Sequence, residues 1–498
     1  MNPARGWPIW LRLLSAAALG AVAAFGLAPF GFWPASVAAL ILLSPLFLTT
    51  ETRGRAAWLG WAFATGYFAH ALSWIVEPFF VDVQRHGWMA PFALTFMAGG
   101  LALFWAVAFW IARRPNGRPV TQAVFLAISI SLLEFARGYV LTGFPWAGIA
   151  QLWVDTPVAQ LLSLFGPYGL GAVTLLATLP LGAALSERSG FVLPLALTVG
   201  ATAVSLAYAA SRPVVTDTDH VVRLVQPNAP QHQKWDPDYA PLFFARQLEF
   251  TAATPRPDLI VWPETSVPAW LGSAQPYLDA VAEAAQGTPV FLGIQRGDGP
   301  RIYNSMIYLD ETGQMQQLYD KHHLAPFGEY VPFGDVMAQF GIYGMAATTG
   351  NGFSAGPGAA LLDAGKLGMA LPLICYEAVF TQDVLSAPGR ADFLLQITND
   401  AWFGTRSGPY QHLAQAQMRA IEQGLPMMRS ANTGVSAMID PLGRITDALP
   451  LGQAGFVDAN LPAPLALTVY ARIGDFPVFV LLVAMFLLLW RNVSQRQH

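Results

Sequence analysis

Along the first 211 residues the hydrophobic positions do not alternate with polar ones; they run together in stretches close to the roughly 20 residues a helix needs to cross a hydrocarbon core. These stretches predict seven helices, over Pro8 to Gly26, Pro34 to Thr49, Ala56 to Ile75, Trp88 to Ile111, Thr121 to Glu134, Leu161 to Leu185 and Phe191 to Ala210. An eighth apolar run, Phe476 to Trp490, lies near the other end. Between Asp217 and Asn460 the texture changes. Short β-rich runs at His220 to Val225, Leu259 to Trp262, Pro289 to Gly293, Ile302 to Leu309, Gly368 to Ile374 and Phe393 to Ile397 alternate with amphipathic helical segments at Tyr239 to Ala252, Tyr277 to Gln286 and Tyr410 to Gln423. That alternation predicts an α/β domain with a buried sheet.

Three segments follow: a bundle of about seven membrane helices over 1–216, a water-facing domain over 217–462, and a last transmembrane helix with its tail over 463–498. An even number of spans puts both chain ends on one side. Arginine placement fixes which side, because short cytoplasmic loops collect basic residues. Ten arginines (5, 12, 53, 55, 113, 114, 118, 188, 491 and 496) flank one side of the spans and four (85, 137, 212 and 472) flank the other. The expectation is a multi-pass protein of the bacterial inner membrane, with both termini cytoplasmic and the large domain in the periplasm. The basic, alanine-rich start resembles a signal peptide, but further spans follow at once, so it reads as a retained first helix.

Composition agrees with a membrane protein. The chain of 498 residues is 54% hydrophobic and only 12% charged, with a mean hydropathy of +0.42. A net charge of -4 offers no basic footprint for nucleic acid, so nucleic acid is set aside as a partner. Cys375 is the sole cysteine, which rules out an internal disulfide and a cysteine-based zinc site. Among the 27 basic residues only Lys234, Lys321 and Lys366 are lysines, so a lysine in a meaningful place carries information.

Three residues in the α/β region stand where such domains build active sites, at strand ends and loops. Glu264 closes Leu259-Ile260-Val261-Trp262-Pro263-Glu264, where burial would raise its pKa and make it a usable base. Lys321 lies in Tyr319-Asp320-Lys321-His322-His323 and could stabilise an oxyanion. Cys375 follows Leu371-Pro372-Leu373-Ile374 at a strand-to-loop junction, and Glu377 two residues on suggests a strand leaving the core. Each alone has a bland reading: a solvated carboxylate, a surface lysine, a small buried hydrophobe. His322 and His323 have no partners at ligand spacing and read as surface or turn residues, so no metal is expected. Glu134 and Arg137, one helical turn apart, are placed to pair, and Phe340 to Met345 and Trp402-Phe403 could line a greasy entrance or simply pack.

Taken together, Trp262-Pro263-Glu264, the Lys321 segment and Cys375-Tyr376-Glu377 resemble the Glu-Lys-Cys triad of the nitrilase (carbon-nitrogen hydrolase) superfamily. Within it, Leu324-Ala325-Pro326-Phe327-Gly328-Glu329-Tyr330-Val331-Pro332 and Thr398-Asn399-Asp400-Ala401-Trp402-Phe403-Gly404 are similar to segments of the apolipoprotein N-acyltransferase family. Leu27-Ala28-Pro29-Phe30, Phe144-Pro145-Trp146, Gly166-Pro167-Tyr168-Gly169 and Tyr470-Ala471-Arg472 resemble its membrane segments; Ala325 stands where many relatives carry valine.

The resemblance implies a nitrilase-like αββα sandwich beside the helical bundle, and a two-step acyl transfer without a cofactor. Glu264 would be the base, Lys321 the oxyanion stabiliser and Cys375 the nucleophile, taking an acyl group from a phospholipid as a thioester. The acceptor would be the α-amine of a diacylglyceryl-cysteine at the start of an apolipoprotein. Glu329, Tyr376 and Glu377 would orient the triad, and Trp235 would sit near the substrate entrance. The alternatives are a membrane-bound amidase or nitrilase that uses water as acceptor, and a transporter or lipid-binding protein, against which the scarcity of midplane charges speaks.

Overall fold

The computed structural model describes residues 6–114, 117–187, 190–332 and 352–494. The chain divides into two compact units, one of Met1–Phe79, Gln84–Arg212 and Thr468–His498, the other of Phe80–Val83 and Pro213–Leu467.

The first unit is helical. Its main helices are α1 (Ile9–Ala23), α2 (Trp33–Phe47), α3 (Arg53–Ala71), α4 (Ala90–Ala112), α5 (Pro119–Tyr139), α6 (Leu162–Glu187) and α7 (Val192–Ala210), with Phe476–Ser494 at its C-terminal end. Five apolar segments, Ile9–Gly26, Val83–Ala112, Pro119–Tyr139, Pro157–Glu187 and Val192–Ala210, are long enough to cross a membrane; Trp33–Phe47 and Phe476–Arg491 are shorter apolar helices. Small residues let the helices touch. A Cβ on Gly20 would fall 1.8 Å from the Phe63 carbonyl oxygen, and one on Gly182 1.9 Å from that of Ile41, so α1 meets α3 and α2 meets α6 backbone to backbone.

Helix α5 is longer than the predicted span from Thr121 to Glu134, and the Glu134–Arg137 pair sits inside it, with Arg137 Nη2 2.6 Å from Glu134 Oε2. Both residues are buried. Trp105 Nε1 donates to the same carboxylate at 2.8 Å, and Arg137 also donates to the carbonyls of Phe144 and Trp146. The pair therefore ties α4 and the Phe144-Pro145-Trp146 turn to α5.

The second unit is a four-layer sandwich. One sheet has the order β12-β1-β2-β3-β4-β5, with β1 (Asp217–Gln226), β2 (Leu259–Val261), β3 (Val290–Asp298), β4 (Arg301–Leu309), β5 (Met315–Asp320) and β12 (Gly455–Pro462). The other has the order β11-β10-β9-β8-β7-β6, with β6 (Leu362–Asp363), β7 (Met369–Ile374), β8 (Phe393–Thr398), β9 (Met427–Ala431), β10 (Ser436–Ile439) and β11 (Ile445–Leu449). Strands β1–β2–β3 and β7–β8–β9 run parallel; the outer pairings are antiparallel. Buried on both faces, β7 reads as an unbroken apolar run, as a central parallel strand does, and β8 as one interrupted only by Gln396 before its terminal Thr398.

Val222, Leu224, Met306, Ile374, Leu395 and Met428 are among the residues that fill the space between the sheets. Helices α8 (Ala240–Ala252) and α9 (Gln275–Ala285) cover the outer face of the first sheet through Phe244 and Val281, and α10 (Gly408–Gln423) covers the second through Leu413 and Ala420. The layer order is the αββα of the carbon-nitrogen hydrolase fold.

Buried Arg223 on β1 pins one edge, pairing with Asp458 of β12 at 2.7 Å and donating to the carbonyls of Phe250, Thr251, Ala253 and Pro255. Removing one partner of a buried pair leaves the other uncompensated, so Arg223→Ala is expected to cost about 3–5 kcal/mol. Thermal melting of the detergent-solubilised protein, against Asp458→Asn as the milder change, checks it.

Candidate active site

Three strand ends supply the site. Glu264 lies three residues beyond β2, Lys321 directly follows β5 and Cys375 directly follows β7. Glu264 reaches its place because β3 passes close by: a Cβ on Gly293 would lie 2.4 Å from the Thr265 nitrogen and 2.7 Å from the Glu264 Cα, space that only glycine leaves.

Lys321 is 1% exposed, so its surface reading is overturned. Its Nζ lies 2.9 Å from both Glu329 oxygens and 3.9 Å from Glu264 Oε1. Burial works against the ammonium, but the Glu329 and Glu264 carboxylates outweigh it and hold the pKa above the usual lysine range. Asn304 Nδ2 bridges the two carboxylates, 2.6 Å from Glu264 Oε1 and 3.1 Å from Glu329 Oε1, while the Asn399 amide donates to Glu264 Oε2 at 2.8 Å. Burial pushes the Glu264 pKa up, Lys321 draws it down and Glu329 pushes it up again, leaving it above the ordinary carboxylate range. A raised pKa suits a carboxylate that must both take and return a proton.

Cys375 is buried, with φ at 51°, a left-handed conformation that costs a non-glycine residue roughly 1–2 kcal/mol. Burial raises the thiol pKa well above its ordinary value, the Glu264 carboxylate adds to this, and Lys321 opposes it. The resting group is therefore a neutral thiol. Glu377 holds the turn that follows, and here the sequence reading needs correcting: Glu377 is wholly buried, and marks no exit to solvent. Its Oε2 accepts from the Ile374 amide at 2.7 Å and its Oε1 from the His322 amide at 2.8 Å and the Tyr319 hydroxyl at 2.9 Å. His322 Nδ1 is 2.9 Å away; despite burial, this pairing keeps Glu377 below the usual carboxylate range and raises His322. Hence His322 belongs to the site's support, and His323, 2.8 Å from Asp383, braces it further.

Tyr376 packs edge-on against Phe380 and His323. Trp235 is 43% exposed and lines a small cavity with Lys234, Phe243, Phe244 and Glu264, which sets it at the rim of the Glu264 side. Phe403 packs against the core between the sheets, while Phe340 to Met345 falls outside the described residues. Among the described residues no group of three or more His, Cys, Asp or Glu is arranged to hold a metal ion.

The chain's own relatives agree with this architecture. The carbon-nitrogen hydrolase model matches residues 219–468, and that of the apolipoprotein N-acyltransferase N-terminal domain matches residues 19–179. An apolipoprotein N-acyltransferase of Rhodopseudomonas palustris is 36% identical, covering 96% of this chain and 95% of its own, and one of Bradyrhizobium diazoefficiens is 37% identical, covering 98% and 96%. The chain belongs to the apolipoprotein N-acyltransferase family. Among solved structures, a carbon-nitrogen hydrolase superfamily protein of Xanthomonas campestris aligns with 53% of this chain and 97% of its own at 20% identity, with a TM-score of 0.37.

Within this family member, sequence reasoning missed Asn304 and Lys234. Asn304 gave no signal, being a polar residue inside a strand. Lys234 did, as one of three lysines: it is buried, its Nζ bonds the Glu264 carbonyl at 2.9 Å and Thr265 Oγ1 at 2.8 Å, and burial lowers its pKa to about 8. It thus fixes the main chain that carries Glu264. Gly293→Ala should displace that same segment by several tenths of an ångström and cut activity by about 100-fold. Steady-state rates beside a melting curve test this, the expectation being a far larger loss of rate than of stability.

Proposed function

We propose that this chain transfers a fatty acyl group from a phospholipid to the α-amine of the diacylglyceryl-cysteine that begins an apolipoprotein. The observation that carries the reading is a neutral buried thiol on a strained turn, set against a raised-pKa carboxylate and a permanently charged ammonium, in a chain homologous over nearly its full length to apolipoprotein N-acyltransferases.

Glu264 takes the proton of Cys375 as the sulfur attacks the ester carbonyl of the phospholipid, and Lys321 stabilises the oxyanion. The tetrahedral intermediate collapses to a thioester, the lysophospholipid oxygen leaving with the proton that Glu264 returns. Glu264 then takes a proton from the incoming amine as it attacks the thioester, Lys321 again meets the oxyanion, and the departing sulfur recovers the proton as the amide forms. Glu329 keeps Lys321 charged and in place, Glu377 and Tyr376 hold the Cys375 turn, and Trp235 guards the approach. The apolar bundle suits the substrates: each methylene moved from lipid to water costs about 0.8 kcal/mol, so both reactants stay in the bilayer. The arginine asymmetry supports an inner-membrane location with the 217–462 domain on the periplasmic side.

Intact-mass measurement of the full-length protein with phospholipid and no acceptor tests the reading. A fatty-acyl increment is expected on the wild type, absent from Cys375→Ala and discharged by a diacylated lipopeptide; discharge by water alone would make the protein a hydrolase. The pH dependence follows from Glu264. Its pKa lies above the ordinary 4.5, so the ionised base is lost as the pH falls through a value higher than that. The single-turnover acylation rate should therefore decline on the acid side above the usual carboxylate range. Glu264→Gln should lower that rate by about 10²- to 10⁴-fold and abolish the acid limb.

A further inference from the structure

Beneath the Cys375 turn lies a second set of buried charges that the transfer scheme does not use. Arg429 on β9, Asp400 beyond β8 and His412 on α10 are all fully buried. Arg429 Nη2 lies 2.5 Å from Asp400 Oδ2, and Asp400 Oδ1 lies 2.9 Å from His412 Nδ1. His412 Nε2 in turn lies 3.0 Å from the Cys375 carbonyl oxygen. A second arm leaves the same guanidinium: Arg429 Nη1 donates to Gln396 Oε1 at 2.6 Å, which turns the Gln396 amide so that Nε2 donates to the same Cys375 oxygen at 3.2 Å. The arms are cross-linked, since Gln396 Nε2 and His412 Nε2 are 3.1 Å apart.

Ionised Asp400 can only accept, so its 2.9 Å contact puts the ring proton of a neutral His412 on Nδ1 and leaves Nε2 an acceptor. His412 thus donates to Asp400, whose charge Arg429 and His412 keep at a pKa of about 2 against the pull of burial, and Nε2 accepts from Gln396 while the amide holds the carbonyl. Asp400 Oδ1 also accepts from Thr398 Oγ1 at 2.9 Å, which ties it to the end of β8. A left-handed backbone at a residue with a side chain persists only when its surroundings over-determine it.

We infer that His412, oriented by Asp400, is a positioning residue for the nucleophile: its Nε2 fixes the Gln396 amide on the Cys375 carbonyl oxygen and thereby holds the left-handed turn that presents the thiol. The inference rests on Cys375 being the acylated residue, and the experiment separates the two. Full-length wild type, His412→Leu, His412→Gln and His412→Asn in lipid nanodiscs are followed by intact mass for two modifications of the chain's one cysteine, the acyl adduct from phospholipid and the carbamidomethyl adduct from iodoacetamide. His412→Leu should lower the single-turnover acylation rate by about 100-fold while the half-saturating phospholipid concentration stays within about twofold. His412→Gln, whose terminal amide reaches the place of Nε2, should exceed His412→Asn, which reaches only that of Nδ1, by about tenfold.

Wild-type rates in His412→Leu, or equal losses in the Gln and Asn variants, would overturn the inference, as would a loss carried wholly by weaker phospholipid binding. If His412→Leu does not fold, the Gln-to-Asn comparison decides. If the wild type is alkylated but takes no acyl group, the acyl-transfer reading fails, and the order of alkylation rates still decides the role of His412.

Discussion

The site depends on keeping one ammonium, that of Lys321, charged inside a sandwich core where burial opposes it. Two carboxylates do this, Glu329 in direct contact and Glu264 at 3.9 Å, and their own placement is in turn fixed by Asn304 and by the amides of Ala325 and Asn399. A buried pair of this kind stabilises the fold poorly for what its desolvation costs. What it provides is electrostatic preorganisation: a positive charge already in place where an oxyanion would form, and a carboxylate left with enough proton affinity to act as base.

The candidate nucleophile, Cys375, is governed by a separate constraint, a backbone geometry that its residue type disfavours. Support comes from both sides of the turn. Glu377 caps Ile374 above it and is anchored in the Tyr319–His322 segment, so the strand end that bears Lys321 and the one that bears Cys375 are locked through one carboxylate. From below, the polar core of β8, β9 and α10 grips the Cys375 carbonyl. The first support belongs to motifs read locally; the second belongs to a layer of the sandwich whose polar residues have no reason to be buried except each other.

Much of this was legible in the chain. The long apolar stretches, the α/β alternation and the strand-end positions of Glu264 and Cys375 follow from local periodicity, because a helix that meets lipid and a strand buried on both faces are largely apolar along their length. Strands β5, β6 and β9 to β12 were not legible, for a physical reason. Strand β11 is an exposed edge, β5 opens with Met315, Gln316 and Gln317, none of them buried, β6 is two residues long, and β9 buries Arg429 and Ser430, so none of these shows the pattern of a half-buried strand.

The sequence by itself determined the apolar helices, the mixed domain that interrupts them and the candidate groups Glu264, Lys321 and Cys375, since these depend on composition and order along the chain. Tertiary structure decided the states of those groups. Whether Lys321 is solvated or buried, whether Glu377 faces water or caps a turn, and whether His412 is an ordinary helix residue or a brace under the nucleophile all depend on neighbours distant in sequence. Proton affinity and backbone strain are properties of an environment, and that environment exists only once the two sheets have closed on each other.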